Sequence, residues 1–193
     1  MPNIKEFQQR YPDIYLMIGV SDRQVDLIKE AVDCVIRVGN LESSTLVARP
    51  LGHFRWVTCA SPAYLKKHGN PQSPDDLASH QAIHYFSGNN RHAGELSFVR
   101  NGEKRTVQLK GVVAVNETEL YIKMCLEGYG MAQLAERLVS DHLKEKRLVA
   151  VLQNWCPPPV PVTLLYPHQR FLSPAVKVFS EWMAELINGN GVE

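Results

Sequence analysis

Arg37 is the residue whose setting demands most explanation. It lies inside the apolar stretch Asp33 to Val38, directly before a Gly39-Asn40 turn, and an unpaired guanidinium is costly to bury. Two uses are open to it: a bridge to a nearby carboxylate such as Asp33 or Asp22, the ordinary one, or direct contact with a ligand. Two polar clusters, Ser21-Asp22 and Asn116-Glu117-Thr118, fall at strand-to-helix junctions. Open α/β sheets bind ligands in the crevice at the carboxyl ends of their strands, and the same residue types cap helices. Capping and ligand contact are compatible uses of one junction. Asp22 and Glu117 place negative charge where an anion would sit, so a strongly anionic ligand would need Arg37 or another cation to compensate. Trp56 and Tyr85 read as core aromatics ahead of a stacking platform.

Motifs for enzymatic chemistry are mostly absent. The chain has no G-x-S-x-G elbow, no G-x-x-x-x-G-K-S/T phosphate loop and no H-E-x-x-H, and Gly128-Tyr129-Gly130 follows a helical pattern where a dinucleotide fingerprint must follow a strand. His80 and His84 stand four apart with His92 near, but the β-favouring Ile83, Tyr85 and Phe86 interrupt the single helix that ligand geometry at this spacing needs. No catalytic residue, metal site or cofactor is therefore assigned. Cys34, Cys59, Cys125 and Cys156 form no C-x-x-C pair, and three of them lie in apolar stretches. Reduced core thiols are the favoured reading, which points to the cytosol.

The elements that would position these residues can be read along the chain. Pro2, Ile4, Phe7 and Tyr11 suggest a short first helix. Ile14 to Val20 is an apolar run of strand length, Ser21-Asp22 then caps a helix carrying Val25, Leu27, Ile28 and Ala31, and Cys34 to Val38 is the next strand. That order predicts a βαβ unit with a parallel sheet. His53 to Ala60 reads as a strand, and Ser61-Pro62 through Gly69 is the clearest helix, with a serine cap, proline at its first position and glycine past its end. Asn70 to Pro74 is a stiff polar segment, followed by a second Ser-Pro helix start. Ala82 to Phe86 reads as a strand. Asn101-Gly102 between Glu95–Val99 and Lys104–Lys110 signals a hairpin. Gly111 to Val115 is a strand, Asn116-Glu117-Thr118 caps a helix ending at Gly128, and Ala135 to Arg147 is a helix followed by a strand at Leu148 to Leu152. Trp155 to Pro161 must be extended, because proline excludes helix. A strand at Val162 to Tyr166 and a long helix from Ser173-Pro174 close the chain, the helix packing on the first lobe. The two proline-rich segments mark two crossings, so the expected architecture is α/β: two lobes with mixed sheets joined by two crossover strands. Residues 1–69 with 162–193 form one lobe and 70–161 the other.

Composition bounds the reading. The chain has 193 residues, 45% of them hydrophobic and 21% charged, so a sizeable core is available and global disorder is excluded. Lys plus Arg (21) nearly balances Asp plus Glu (20), which supplies no broad footprint for phosphate backbones. No run approaches the roughly 20 apolar residues of a membrane span, and the N-terminus lacks the pattern of a signal peptide.

Several segments together resemble the effector-binding domain of LysR-type transcriptional regulators. They include Phe7-Gln-Gln-Arg-Tyr-Pro12, Asp22-Arg-Gln-Val-Asp-Leu-Ile28, Val32-Asp-Cys-Val-Ile-Arg-Val-Gly39, Leu46-Val-Ala-Arg-Pro-Leu51 and Ala60-Ser-Pro-Ala-Tyr-Leu65. Gly69-Asn-Pro71, Asp76-Leu-Ala-Ser-His80, Gly128-Tyr-Gly-Met-Ala132 and Tyr166-Pro-His-Gln-Arg-Phe-Leu-Ser-Pro174 follow in order. The resemblance implies a fold similar to the type II periplasmic binding proteins, a small-molecule effector held between the lobes, and assembly as a homodimer or tetramer through this domain. It implies that DNA is bound only through an N-terminal winged helix-turn-helix domain that these residues do not contain, with no membrane partner. Carried over by position, the cleft would be lined by Ser21 and Asp22, by Arg37, Gly39 and Asn40, by Ser61 and Tyr85, and by Asn116, Glu117 and Thr118. Family members also carry a strand and a Ser/Thr-bearing turn ahead of the helix that here begins at Pro2. The competing readings are a transport-type solute-binding protein and a dehydratase-like enzyme of the same architecture. The missing signal peptide argues against the first, and the lack of a positioned acid–base pair against the second.

Overall fold

The computed structural model describes residues 3–21, 26–41, 45–86, 94–168 and 173–189. The chain divides into two compact units, Met1–His53 with Val160–Glu193, and Phe54–Pro159. The backbone therefore passes twice from one unit to the other, as two crossover segments require.

The first unit holds α1 (Ile4–Arg10), β1 (Val35–Val38), β2 (Leu46–Phe54, whose last residue begins the second unit), β10 (Val160–Pro167) and α5 (Pro174–Gly189). The sheet order is β1-β10-β2. A helix of seven residues is not stable alone, and α1 is held by Phe7, which is fully buried against Tyr11, Phe179 and Trp182 with ring centroids 4.8–5.8 Å apart. Exposed Arg10 reaches Glu185 of α5 at 3.1 Å. The long last helix thus packs in the first unit, as its apolar stripe predicts.

The expected βαβ unit is not what forms. Val35–Val38 pairs antiparallel with β10, in the register Val35 to Leu165 and Val38 to Val162. Ile14 to Val20 has no ladder among the described residues, and Tyr15, Met17 and Val20 are 85%, 86% and 93% exposed. An apolar run becomes a strand only where a neighbour takes its amides and carbonyls. The helix expected after Ser21-Asp22 starts in residues outside those described, and 27–31 form turns.

In the second unit, β3 (Trp56–Ala60) lies between β8 (Ala132–Ala135) and β9 (Val149–Ala150), antiparallel to both. This pairing places Phe54 to Gly69, expected in the first lobe, with the second unit. The first crossing falls after His53 rather than at the Asn70 to Pro74 segment. The sequence between shows a strand followed by a capped helix and nothing about which sheet the strand joins. The helix itself, α2 (Pro62–His68), forms as read: Ser61 Oγ accepts from Tyr64 N at 3.3 Å, and Gly69 ends it at φ 87°. The second Ser-Pro start makes a 3₁₀ turn, Pro74–Ser79, closed by a capping box between Ser73 and Asp76. β4 (His84–Tyr85) runs parallel to β7 (Ala114–Val115). β5 (Glu95–Arg100) and β6 (Glu103–Gln108) form the hairpin at Asn101-Gly102, both at positive φ. α3 (Thr118–Leu126) and α4 (Glu136–Lys144) complete the unit.

Beside α2 a buried polar network ties this unit together. Gln81 N donates to the Tyr64 hydroxyl at 2.8 Å, and that hydroxyl meets His80 Nδ1 at 3.2 Å. Burial and the neighbouring His68 hold the His80 imidazole below its ordinary value of 6.5, against the opposing pull of Asp76. The folded state thus binds fewer protons here than the unfolded chain, so this stability is complete above about pH 6.5 and is lost as pH falls below it. Melting temperature is expected to be lower at pH 5 than at pH 7, and His80→Gln to flatten that slope. An equal slope in His80→Gln would assign the effect elsewhere.

Candidate functional site

In the first unit, β1 ends at Val38 and Gly39, at φ 110°, turns the chain while its N–H donates to Pro161 O at 2.9 Å. Asn40 follows, exposed. Arg37, partly buried and paired with Thr163 in the ladder, donates from Nη1 to the carbonyl of Ser21 at 3.2 Å. Structure therefore brings Ser21, Arg37, Gly39 and Asn40 into one corner at the carboxyl end of β1. One contact of Arg37 is thus with a backbone carbonyl; Asp22, one of the two carboxylates expected to bridge it, lies outside the described residues. Arg37 thus brings a permanently charged, multi-donor group to this corner.

In the second unit, the parallel pair β4–β7 sets Tyr85 beside Val115. The Tyr85 hydroxyl donates to the carbonyl of Asn116 at 3.2 Å, and its ring lies 5.4 Å from that of Tyr121. Glu117 is the N-cap of α3: Oε1 accepts from Glu119 N at 2.9 Å and Oε2 from Leu120 N at 2.7 Å. Those amides hold its carboxyl below the usual range. Thr118, partly buried, is the first helical residue. The clustered polar residues thus cap a helix, as one of their two readings required, and they meet Tyr85 at the carboxyl end of a strand. With Glu117 on the leading amides, this junction offers a carboxylate and hydroxyls, and favours a neutral or donor-bearing group over an anion.

Ser61 does not join this cluster. Met131, just before β8, bridges Ala82 in parallel, so β8 runs with β4, while β3 runs against β8. The carboxyl end of β3 therefore opens on the opposite edge from Tyr85 and Asn116. There Ser61, 2% exposed, caps α2, and its hydroxyl lies 3.2 Å from where a Cβ on Gly128, beyond the far end of α3, would stand. Its cap was legible in sequence; its distance from the other residues depends on strand direction.

Two side chains that sequence reasoning passed over hold the α3 junction. Tyr121 is buried, its hydroxyl accepts from Gln133 N at 3.3 Å, and burial pushes its phenol well up. Gln133 donates from Nε2 to Ser97 O at 2.9 Å and to Thr58 Oγ1 at 3.2 Å, while its Oε1 accepts from Ser97 N at 3.3 Å. The available signal was a lone Gln inside the apolar run Met131 to Ala135. Of the three histidines near one another in sequence, His84 contacts Leu109 O at 3.1 Å from β4 and His80 follows the 3₁₀ turn, on separate elements; His92 lies outside the described residues. Cys59 and Cys125 are buried, Cys34 is half-buried with its thiol pushed up to about 11 by burial, Cys156 is exposed, and all four are free thiols. Among the described residues, no helix is long and apolar enough to cross a membrane.

Comparison with known proteins adds to this geometry. The family model described as the LysR substrate binding domain matches residues 1–188. An uncharacterized HTH-type transcriptional regulator, YhjC, from Escherichia coli is 36% identical over 184 residues, covering 95% of this chain and 62% of the relative. An HTH-type transcriptional repressor from Pseudomonas aeruginosa is 34% identical over 189 residues, covering 98% and 60%. The chain thus spans about 60% of the length of these relatives. Among solved structures, the regulatory domain of CrgA, a LysR-type regulator from Neisseria meningitidis, superposes with a TM-score of 0.80 at 29% identity, over 96% of this chain and 90% of that one. The fold is that of these regulatory domains, similar to type II periplasmic binding proteins. The chain belongs to the LysR substrate binding domain family, the effector-binding part of LysR-type transcriptional regulators.

Proposed function

We propose that this chain senses a small-molecule effector using Ser21, Asp22, Arg37, Gly39 and Asn40 from the first unit and Tyr85, Asn116, Glu117 and Thr118 from the second. The observation that carries this reading is the pairing of Arg37 with the Ser21 carbonyl at a strand terminus, in a chain that matches the effector-binding family along nearly its full length. The Tyr85–Asn116 contact at a second strand terminus supports it. The chemistry of the two sets suits an effector with an acidic or accepting group toward Arg37 and a neutral or donating group toward α3. Binding acts by population shift: the effector favours whichever arrangement it binds better, and self-association as a homodimer or tetramer relays that preference to a DNA-binding domain outside this chain. In this reading the chain works in the cytoplasm, and it is a sensor rather than a catalyst, as its regulator relatives suggest.

A thermal-shift panel of small polar metabolites tests the site. The effector is expected to raise the melting temperature, and Arg37→Ala and Thr118→Ala each to weaken binding. Loss of a charged hydrogen bond costs about 1.5–3 kcal/mol, so Arg37→Ala should lower affinity roughly 10- to 100-fold. Stabilising compounds indifferent to both changes would move the site elsewhere, and turnover of any of them would favour the enzyme reading. This chain alone is expected to give no specific shift of duplex DNA in a gel.

A further inference from the structure

Between the entry to β4 and the entry to β8 a parallel ladder begins and stops after one bridge. Met131 N donates to Gln81 O at 2.8 Å and Ile83 N to Met131 O at 3.0 Å, the two bonds around the Ala82–Met131 bridge. Even spacing in a parallel pair makes Gln133 N to Ile83 O the next rung. Gln133 N donates instead to the Tyr121 hydroxyl at 3.3 Å. On its other side the same strand goes on pairing, with His84 N on Val113 O at 3.0 Å and Phe86 N on Val115 O at 2.9 Å. β4 therefore stays with β7 and parts from β8 at the point where a side chain of α3 takes the rung.

Tyr121 is 5% exposed and Gln133 is buried, so an amide left there without an acceptor would be costly. The phenolic oxygen supplies that acceptor and so stabilises the parting of the strands. The Tyr121 ring also lies 5.4 Å from the ring of Tyr85, whose hydroxyl donates to Asn116 O at 3.2 Å. One residue thus opens the sheet beside β4 and backs the side chain that reaches the cap of α3. Open α/β sheets hold ligands in crevices at the carboxyl ends of their strands.

We propose that Tyr121 is a positioning residue of the effector site and acts through Tyr85, a role that rests on the proposed effector reading. By taking the Gln133 amide it keeps β4 apart from β8, and the Tyr85 hydroxyl stays on the Asn116 carbonyl.

Tyr121→Phe keeps the ring and removes the acceptor, and circular dichroism should show the variant folded. In NMR spectra of the ligand-free chain it is expected to move the Gln133 amide, the Tyr85 ring and the Asn116 carbonyl together. Tyr85→Phe should move Asn116 as well, and adding Tyr121→Phe to it should cause no further change at Asn116 to Thr118, because one residue works through the other. A shift at Gln133 with Tyr85 and Asn116 unmoved would overturn the proposal by leaving Tyr121 a purely structural role. Additive changes at Asn116 in the double variant would overturn the route through Tyr85. Thermal-shift panel metabolites that stabilise the unaltered chain should bind Tyr121→Phe about tenfold more weakly, and unchanged affinity would overturn the role in binding. A panel without any stabilising metabolite would count against the effector reading, while the spectra of the ligand-free chain still decide what Tyr121 positions.

Discussion

Replacing Gln133 with alanine is expected to destabilise the second unit by about 3 kcal/mol, because one side chain satisfies three buried or half-buried partners. Its amide nitrogen serves Thr58 of β3 and the Ser97 carbonyl of β5, and its oxygen serves the Ser97 amide. Thr58 is 1% exposed, so water cannot readily replace the lost partner. The change also unties the β5–β6 hairpin from the sheet, for which this amide is a main polar tether. Denaturant unfolding measures the loss, and hydrogen exchange at Ser97 should speed up first. A double-mutant cycle with Thr58→Val should show coupling, since those two groups share a bond. A cost below about 1 kcal/mol with slow exchange at Ser97 would mean that packing alone holds the hairpin.

Phe7→Ala should cost the first unit about 3–5 kcal/mol, the range for removing a fully buried aromatic ring. Phe7 is the sole buried residue of α1 and the centre of the cluster with Tyr11, Phe179 and Trp182. Seven residues cannot hold a helix without tertiary contact, so amide exchange across Ile4–Arg10 should approach that of free chain. The exposed Arg10–Glu185 pair is too solvated to hold α1 in place. Phe7→Leu, which refills most of the volume, should cost well under half as much. Retention of slow exchange in Phe7→Ala would show that other contacts anchor α1.

Local signals were legible where the chemistry is local. Ser61-Pro62 through Gly69 specifies α2, and Asn101-Gly102 specifies the hairpin, because cap and turn demands fall on neighbouring residues. Glu117 as the cap of α3 belongs with these. Pairing was not legible. Ile14 to Val20 carries a strand's composition without a strand's ladder among the described residues. Leu46–Phe54 forms a nine-residue strand that Pro50 and Gly52 disguise. It is an edge strand, where proline is tolerated, and at Gly52 a Cβ would collide with Asn188 and Ile187 of α5. The same limit governs the site: Arg37 announced itself as a charge in an apolar strand, whereas the place of Ser61 away from Tyr85 follows from strand directions fixed across long sequence separations.

The most direct test of effector sensing is amide NMR of the chain titrated with a stabilising metabolite from the thermal-shift panel. The account predicts saturable shifts, with one common Kd, at Ser21 and Arg37 to Asn40 and at Tyr85 and Asn116 to Thr118. Shifts confined to one of these sets, or centred elsewhere with both sets unmoved, would contradict it.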